Sequence, residues 1–253
     1  SIWVLDLWPE TLYQYKFFKI KIVDKILRFF IKKITQSFDV IFVQSPLFIS
    51  KIKRLFDHKK IIYLPAWFEN NYLNHKKIKK DKKITRVVFA GNLGEAQNLI
   101  LLIKKINKLK NNIPIKFFFI GDGRCKKEIK KFLLSNNKNN NIVVTRSYSN
   151  SKMPKILSCA DYLLISLKNT EPFNLTIPGK LQNYMALGKP IISFSEGIVN
   201  DIILSANCGY SANINKVNIN RFFEEVVKNK KKINMSKNSL NYAKKNFKKQ
   251  IIL

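Results

Sequence analysis

Pro178, Gly179 and Lys180 stand together immediately before a stretch with the pattern of a short helix, Leu181 to Leu187. Proline suits the first turn of a helix, and Thr176 is a candidate cap just upstream. A helix start exposes unpaired N–H groups, and the lysine adds a full positive charge. The stretch therefore predicts a site for an anion such as a diphosphate. The alternative interpretation is an ordinary capped surface helix with a solvated lysine.

Two glycine-containing segments follow strand-like runs earlier in the chain. Gly91–Gln97, with the sequence GNLGEAQ, comes directly after RVVFA, and Gly121–Arg124, GDGR, comes after FFFI. Glycines let the backbone approach a bound group closely, and Arg124 is placed to reach a phosphate. Neither segment is a GxGxxG fingerprint or a Walker loop. The alternative for each is a glycine needed only for turn geometry.

Strand-like and helix-like runs alternate regularly from Ile84 onward, which predicts an α/β fold of the doubly wound Rossmann type with a parallel sheet. Ligands in such folds bind beyond the carboxyl ends of the strands, where both glycine segments are placed. The predicted strands are Arg86–Ala90, Lys116–Ile120, Ile142–Thr145, Tyr162–Ser166, Pro190–Phe194 and Gly209–Ala212. The predicted helices are Ala96–Leu109, Cys125–Ser135, Lys152–Ser158, Lys180–Leu187, Asn200–Ser205 and Ile219–Lys230.

The first part of the chain has a βαβ pattern, with strands at Asp39–Val43 and Lys60–Leu64 around a helical stretch. Residues 67–83 are polar and lysine-rich, which is typical of a linker. We therefore predict four regions: 1–66, the linker 67–83, a Rossmann-like domain 84–235, and a basic helix 236–253. The chain does not begin with Met and starts inside a strand-like run, so we expect further residues before Ser1.

The segment from Tyr15 to Ile34 predicts a helix in which aromatic and aliphatic residues alternate with cations. This composition suits a helix lying on an anionic membrane surface. The alternative is a helix that packs one face on a sheet, because the apolar positions do not form one clean stripe.

The chain carries a formal net charge of +31 and a pI of about 10.1. Its lysines are spread over nearly every segment, which favours a compositional bias over a membrane-binding or nucleic-acid-binding patch. Cys125, Cys159 and Cys208 are widely spaced, which suits reduced thiols and no metal site. No apolar run approaches the ~20 residues of a membrane span. We expect a cytoplasmic protein, soluble or peripheral to the membrane, with His58 and His75 on its surface.

The order of these motifs resembles family 4 retaining glycosyltransferases of the GT-B fold. The residues that carry the resemblance are VVFAGNLGEAQ, FIGDG, SCADYLLISL and EPFNLTIPGKLQNYMALGKPI, with DLWPE, FDVIFVQSP and YLPAW upstream. The greatest similarity is to bacterial members that build O-antigen, capsule and other cell-surface polysaccharides. The resemblance implies a complete C-terminal Rossmann-like domain, the last part of the N-terminal one, and weak activity for this length of chain alone.

The resemblance also implies the reaction. Such enzymes transfer a sugar, often an aminosugar, from a nucleotide-diphosphate sugar, UDP- or GDP-linked, to a saccharide or lipid-linked acceptor. They retain the anomeric configuration and need no metal or other cofactor, and this chain has no Asp-x-Asp motif. Carried over by position, the donor-binding residues are Gly91, Asn92, Gly94, Glu95, Gln97, Arg124, Thr145, Arg146, Thr176, Pro178, Gly179, Lys180 and Asn183.

This chain departs from the family pattern at two places. Asn92 and Gln97 stand where many relatives carry Arg and Lys, so more of the phosphate charge falls on Lys180. The paired glutamates are also incomplete. If Glu171, the catalytic candidate, is matched to the first, Gly179 stands where the second should be. Counting back from Gly188 instead puts Asn183 in place of the second glutamate, which usually holds the ribose. An amide still hydrogen-bonds hydroxyl groups.

Two other classes of protein are alternatives. A nucleotide-sugar epimerase or dehydrogenase requires a dinucleotide fingerprint or a catalytic His and Asp set, and neither is visible in the sequence. A basic Rossmann-type protein that binds a membrane or nucleic acid accounts for the charge but not for the ordered loops at the strand ends. We therefore expect a nucleotide-sugar donor, a saccharide or lipid-linked acceptor, peripheral contact with an anionic membrane, and no nucleic acid as a partner.

Overall fold

The computed structural model describes residues 1–15, 20–55, 60–73, 83–136 and 140–252. His58, His75 and most of the predicted linker lie outside the described residues, as do residues 16–19 of the predicted Tyr15–Ile34 helix. The described residues form two parallel sheets, one of three strands and one of six.

The first sheet has the order β1-β2-β3, with β1 at Ile2–Val4, β2 at Ile41–Val43 and β3 at Ile61–Tyr63. The helices α1 (Glu10–Tyr13) and α2 (Lys21–Gln36) connect β1 to β2, and α3 (Leu47–Leu55) connects β2 to β3. A small apolar core lies beneath this sheet. It comprises Leu7, Ile41, Val43, Phe48 and Ile52.

The second sheet has the order β6-β5-β4-β7-β8-β9, and every pair in it is parallel. Apolar clusters lie on both of its faces, so its strands carry nearly continuous apolar runs. The strands are β4 Thr85–Ala90, β5 Ile115–Ile120, β6 Ile142–Thr145, β7 Tyr162–Ser166, β8 Ile191–Phe194 and β9 Gly209–Ser211.

The helices that follow β4 in the chain cover the two faces of the second sheet. Those that pack against Val87, Phe89 and Phe117 include α4 (Leu99–Ile106), α5 (Lys126–Asn136) and α10 (Ile219–Lys228). The opposite face is covered by α6 (Met153–Ser158), α8 (Lys180–Ala186), α9 (Ile198–Ser205) and α11 (Lys232–Asn246). Two shorter helices are α7 (Glu171–Leu175) and α12 (Lys249–Ile252).

Three helix predictions need correction, and two short helices were not predicted. The helix predicted at Tyr15–Ile34 is found at Lys21–Gln36, and Ile20 before it is extended. The helix predicted from Ala96 begins at Leu99, because Asn98 is left-handed with a φ of 50° and separates a 3₁₀ turn at Glu95–Gln97 from α4. The final helix begins at Lys232 rather than Ser236 and ends at Asn246, before α12. The helices α1 and α7 were not predicted, since four and five residues are too few for periodicity to register.

The strand order places a crevice beside β4. The chain proceeds outward from β4 to β5 and β6, then crosses back and continues in β7 on the other side of β4. The segments after β4 and β7 therefore diverge at the carboxyl edge of the sheet, and such switch points bind ligands in doubly wound folds. We call the gap between the ends of β4 and β7 the switch-point crevice.

Candidate functional site

The two predicted glycine segments form one structure at the carboxyl edge of the sheet. The N–H of Gly91 donates to the carbonyl of Ile120 at 2.9 Å, and the N–H of Leu93 donates to the carbonyl of Asp122 at 2.7 Å. The N–H of Cys125 donates back to Leu93 at 2.9 Å. We call Gly91–Gln97 together with Gly121–Arg124 the glycine-loop unit. Their predicted proximity is confirmed by these backbone bonds.

Contact between the two loops is close enough to exclude side chains. A Cβ on Gly121, whose φ is +155°, would lie 1.9 Å from the carbonyl oxygen of Gly91. A Cβ on Gly123, at φ +148°, would lie 2.3 Å from Oδ1 of Asn92. Both positions require glycine for their conformation and for the approach of the neighbouring loop.

Lys180 lies against this unit with its charged end buried. Its Nζ is 3.8 Å from the centre of the Phe89 ring and 3.1 Å from where a Cβ on Gly91 would stand. The residue as a whole is half-buried, but its Nζ is inaccessible to solvent and has no hydrogen-bond partner within the described parts of the chain. The alternative of a solvated surface lysine is therefore wrong.

Burial sets the charge state of this lysine. Desolvation lowers the pKa of Lys180 from 10.5 to about 7, and no neighbouring charge contributes to the shift. The ring of Phe89 offers a partial substitute for water through a cation–π contact. Because α8 has only seven residues, the anion preference of this site rests on the ammonium group rather than on a helix dipole.

The start of α8 differs from the predicted one. Gly179 is the cap residue and Lys180 the first helical residue, while the carbonyl of Pro178 accepts the N–H of Leu181 at 2.9 Å. Thr176 does not cap this helix, so that prediction is wrong. Its Oγ1 donates to the carbonyl of Pro172 at 2.8 Å, and Thr176 ends α7 instead.

Polar side chains of the first glycine loop are partly engaged within the protein. Oε1 of Gln97 accepts the N–H of Gly94 at 3.2 Å. The carboxylate of Glu95 lies 3.7 Å from Nζ of Lys168, and its Oε2 is buried without a hydrogen bond from any described residue. The side chain of Asn92 lies between Gly94 and Gly123. It occupies the space that a Cβ on either glycine would need.

Arg124 is exposed at a cavity of about 320 Å³ next to the glycine-loop unit. Glu95, Glu128 and Lys168 also line this cavity, so its charges are mixed. The pKa of the Tyr15 hydroxyl is raised mainly by burial, with smaller effects from Asp6, Arg124 and Glu95. Tyr15, in the first part of the chain, packs edge-on against Phe173, with the two ring centres 6.4 Å apart.

Thr145 and Arg146 lie at the end of β6, two strands away from β4. Neighbouring strands are separated by about 4.8 Å, which places these residues roughly 10 Å from the end of β4. The guanidinium of Arg146 lies 5.6 Å from the centre of the Tyr148 ring, and both residues are exposed. Thr145 and Arg146 therefore lie at the outer end of the carboxyl edge of the sheet.

Glu171 and Asn183 both contact earlier parts of the chain. The carboxylate of Glu171 forms an ion pair with Nζ of Lys51 at 2.7 Å. Oδ1 of Asn183 accepts the N–H of Glu69 at 2.9 Å. This bond uses one of the two lone pairs of Oδ1, so Asn183 retains its Nδ2 group and one acceptor site for a ligand.

A family comparison identifies the chain. The sequence profile described as "Glycosyl transferases group 1" matches residues 70–246. The chain belongs to this family. Its second sheet and glycine-loop unit lie wholly within the matched residues, whereas β1, β2 and β3 precede them. No curated protein sequence matches the chain.

Solved structures show the fold of this chain to be of the GT-B type. HepE from Anabaena, solved with UDP and glucose, has a TM-score of 0.76 at 12% identity, covering 99% of this chain and 68% of HepE. Sucrose-phosphate synthase from Thermosynechococcus elongatus scores 0.75 at 13% identity, covering 95% and 62%. A TarM variant from S. aureus, solved with fondaparinux, α-GlcNAc-glycerol and UDP, scores 0.70 at 17% identity, covering 86% of this chain. The chain spans 43% of the TarM length.

Three residues at this site were not predicted from the sequence. Phe89 lies under the Lys180 ammonium, Lys168 faces Glu95, and Tyr184 contacts the end of β4. The strand-end rule that selected the glycine segments also applies to Lys168, which follows β7 closely. Tyr184 stands one helical turn after Lys180 and was detectable by that spacing. Nothing in the local sequence marks Phe89.

Proposed function

We propose that this chain binds the donor of a glycosyltransferase reaction, in which a sugar moves from a UDP-linked donor to a saccharide or lipid-linked acceptor. The proposal includes transfer of a hexosyl or N-acetylhexosaminyl group with retention, without a metal, as in family 4 enzymes of O-antigen and capsule synthesis. The observation that carries it is the buried ammonium of Lys180 at the switch-point crevice, which lies against the glycine-loop unit and has no hydrogen-bond partner among the described residues. The sequence resemblance supports the finer details.

The ammonium is suited to the charge that develops in this reaction. Breaking the bond between the sugar and the diphosphate leaves negative charge on the leaving group, and a cation already in place lowers that barrier. The N–H groups of Gly91, Leu93 and Gly94 donate within the protein. They are therefore not free to bind phosphate, and Lys180 carries more of the neutralisation than a loop of open amides would require.

The remaining site residues take the other parts of the donor in this proposal. Glu171 is the catalytic candidate beside the sugar, and it must exchange its contact with Lys51 for one with the ligand. The Nδ2 group of Asn183 donates to the ribose. Thr145 and Arg146 lie near the base, at the outer end of the carboxyl edge of the sheet. Arg124 contacts the distal phosphate or the sugar.

A titration followed by amide NMR tests the proposal. We expect UDP and a UDP-sugar to shift the amide signals of Gly91 to Glu95 and of Lys180, with GDP-sugars as the competing donor class. DNA and NAD are the controls for a nucleic-acid-binding protein and for an epimerase. If DNA or NAD shifts these signals while both nucleotide-sugar classes leave them unchanged, the proposal is wrong.

We also propose that α2 lies on an anionic membrane surface on the cytoplasmic side, near a lipid-linked acceptor. No described helix is long and apolar enough to cross a membrane. One side of α2 packs on the protein through Asp24, Arg28 and Thr35. The other side exposes apolar residues to 43–70% of their surface: Ile22, Val23, Ile26, Phe29, Phe30 and Ile34. The exposed lysines flanking this stripe are Lys21, Lys25, Lys32 and Lys33.

Liposome flotation tests this contact. We expect the protein to float with vesicles containing phosphatidylglycerol and to lose most of that binding when Phe29 and Phe30 are both replaced by Ser. Replacing Leu134, which is 89% exposed on α5, by Ser is the matched control and should change nothing. Equal binding to neutral and anionic vesicles would contradict the electrostatic part, and unchanged binding of the double variant would contradict the role of α2.

A further inference from the structure

Tyr184 makes an unusual pair of contacts with the last residue of β4. Its hydroxyl accepts the N–H of Ala90 at 2.9 Å and donates to the carbonyl of the same residue at 3.1 Å. The side chain is buried, with 2% of its surface exposed. One hydroxyl group therefore satisfies both backbone groups of Ala90.

Ala90 needs this partner because the sheet opens at that point. The ladder between β4 and β7 consists of two pairs, Val87 with Tyr162 and Val88 with Leu163. β4 continues for two residues beyond this ladder, and both backbone groups of Ala90 face the side that β7 has left. A buried N–H or carbonyl without a partner is destabilising. The Tyr184 hydroxyl takes the place of the missing strand and so holds the switch-point crevice open.

Tyr184 also stands one turn after Lys180 on α8. Residues four apart share a face of a helix, so both side chains point toward the end of β4. Tyr184 binds Ala90, while the Lys180 ammonium lies over Phe89 and against Gly91. Three consecutive residues of β4 and the loop after it thus contact two residues of one helical turn.

We infer that the Tyr184 hydroxyl is a positioning group that fixes the Lys180 ammonium against the glycine-loop unit by tying α8 to the end of β4. It touches no ligand and acts only through Lys180. The part of this inference that concerns diphosphate binding rests on the proposed function. The part that concerns the burial of the ammonium holds in the empty protein, so the two can be tested separately.

The test compares Tyr184→Phe with Tyr162→Phe. The matched tyrosine is equally buried, and its hydroxyl donates to the carbonyl of Val226 at 3.1 Å, away from the site. Both variants lose a buried hydroxyl, and both should be less stable. Only Tyr184→Phe should weaken UDP binding, by about three- to tenfold, while uridine, which lacks phosphate, binds as before. Equal UDP affinities in the two variants would overturn the inference.

Titration of the lysine side chain by NMR gives the ligand-independent measurement. In the empty Tyr184→Phe protein we expect the pKa of Lys180 to rise toward its ordinary value, because water reaches the loosened ammonium. Tyr162→Phe should leave this pKa unchanged. If wild type binds no UDP, the proposed function fails, but an unchanged Lys180 pKa in Tyr184→Phe is what overturns the positioning role.

Hydrogen exchange on the unaltered protein covers the case in which Tyr184→Phe does not fold. UDP should slow exchange of the Ala90 amide, because a ligand that holds Lys180 also holds α8 against β4. The amide of Phe117, which donates to the carbonyl of Asn141 at the start of the β5–β6 ladder, is the internal control. When UDP binds, slowing at both amides alike, or at neither, contradicts the inference.

Discussion

Replacing Lys180 by Met should remove most of the UDP affinity and make the empty protein more stable. Methionine has a similar length and no charge, so the space beside Phe89 and Gly91 stays filled. An unpaired buried ammonium destabilises the folded state, and its replacement by an apolar side chain should raise the free energy of unfolding by about 1–3 kcal/mol. Opposite signs for stability and binding distinguish a ligand-binding lysine from a structural one.

The affinity loss follows from the same burial. A charge-assisted contact with a diphosphate is worth on the order of 1.4–2.8 kcal/mol, which is about a 10- to 100-fold change in the dissociation constant. Isothermal titration with UDP and urea unfolding measure the two effects. Lys127→Met, at an exposed position on α5, is the control and should change neither. A Lys180→Met protein that binds UDP as well as wild type does would contradict the phosphate role.

The pH dependence of the wild-type protein tests independently whether the Lys180 ammonium lowers stability and raises UDP affinity. The folded pKa of about 7 lies below the unfolded value of 10.5, so the unfolded chain binds more protons between these values. Stability should therefore rise with pH over that window, and less so in Lys180→Met. UDP binding favours the charged lysine, so affinity should fall above pH 7 by up to about tenfold per pH unit. An affinity that is flat from pH 7 to 9 would contradict an ammonium of lowered pKa.

Gly121→Ala should destabilise the protein by about 2–4 kcal/mol. The added Cβ would meet the carbonyl oxygen of Gly91 at 1.9 Å, and a φ of +155° is unfavourable for alanine in any surroundings. The three nearest atoms are all backbone atoms of Gly91, so no flexible side chain can move away to make room. The glycine-loop unit must therefore separate at the bond between Gly91 and Ile120.

Gly179→Ala is the matched substitution for this prediction. A Cβ there would have no atom within 4 Å, and the φ of Gly179 is −57°, which alanine adopts readily. We expect a change in the free energy of unfolding within about 0.5 kcal/mol. Urea unfolding of both variants measures the difference. Similar losses in the two proteins would show that the contact between the loops is not what requires glycine at 121.

The sheet was largely predictable because its strands are uninterrupted apolar runs between polar residues. Tyr162–Ser166 and Ile142–Thr145 have the predicted bounds, and the other strands of the second sheet differ by one residue at one end. The short helix α7 was missed, since five residues with a proline in second position give no helical period. The division at residues 67–83 stays a prediction, because most of that segment lies outside the described residues.

The site was predictable in its location but not in its contacts. Strand-end glycines located the glycine-loop unit, as the parallel order requires. The burial of the Lys180 ammonium depends on Phe89, which is distant in sequence and whose place only the folded sheet determines. The same holds for Gln97 and Asn183: the sequence marks them as polar, whereas their bonds to Gly94 and Glu69 engage part of the groups expected to bind ligand.

The ion pair between Lys51 and Glu171 sets a limit on communication between the two sheets. A ligand that binds the Glu171 carboxylate breaks its ion pair with Lys51. The site on the second sheet and helix α3 beside the first sheet are therefore thermodynamically linked through that contact. The Glu171 side chain is 62% exposed, and exposed ion pairs contribute at most about 1 kcal/mol. Events at one sheet can therefore change affinity at the other through this contact by no more than about fivefold.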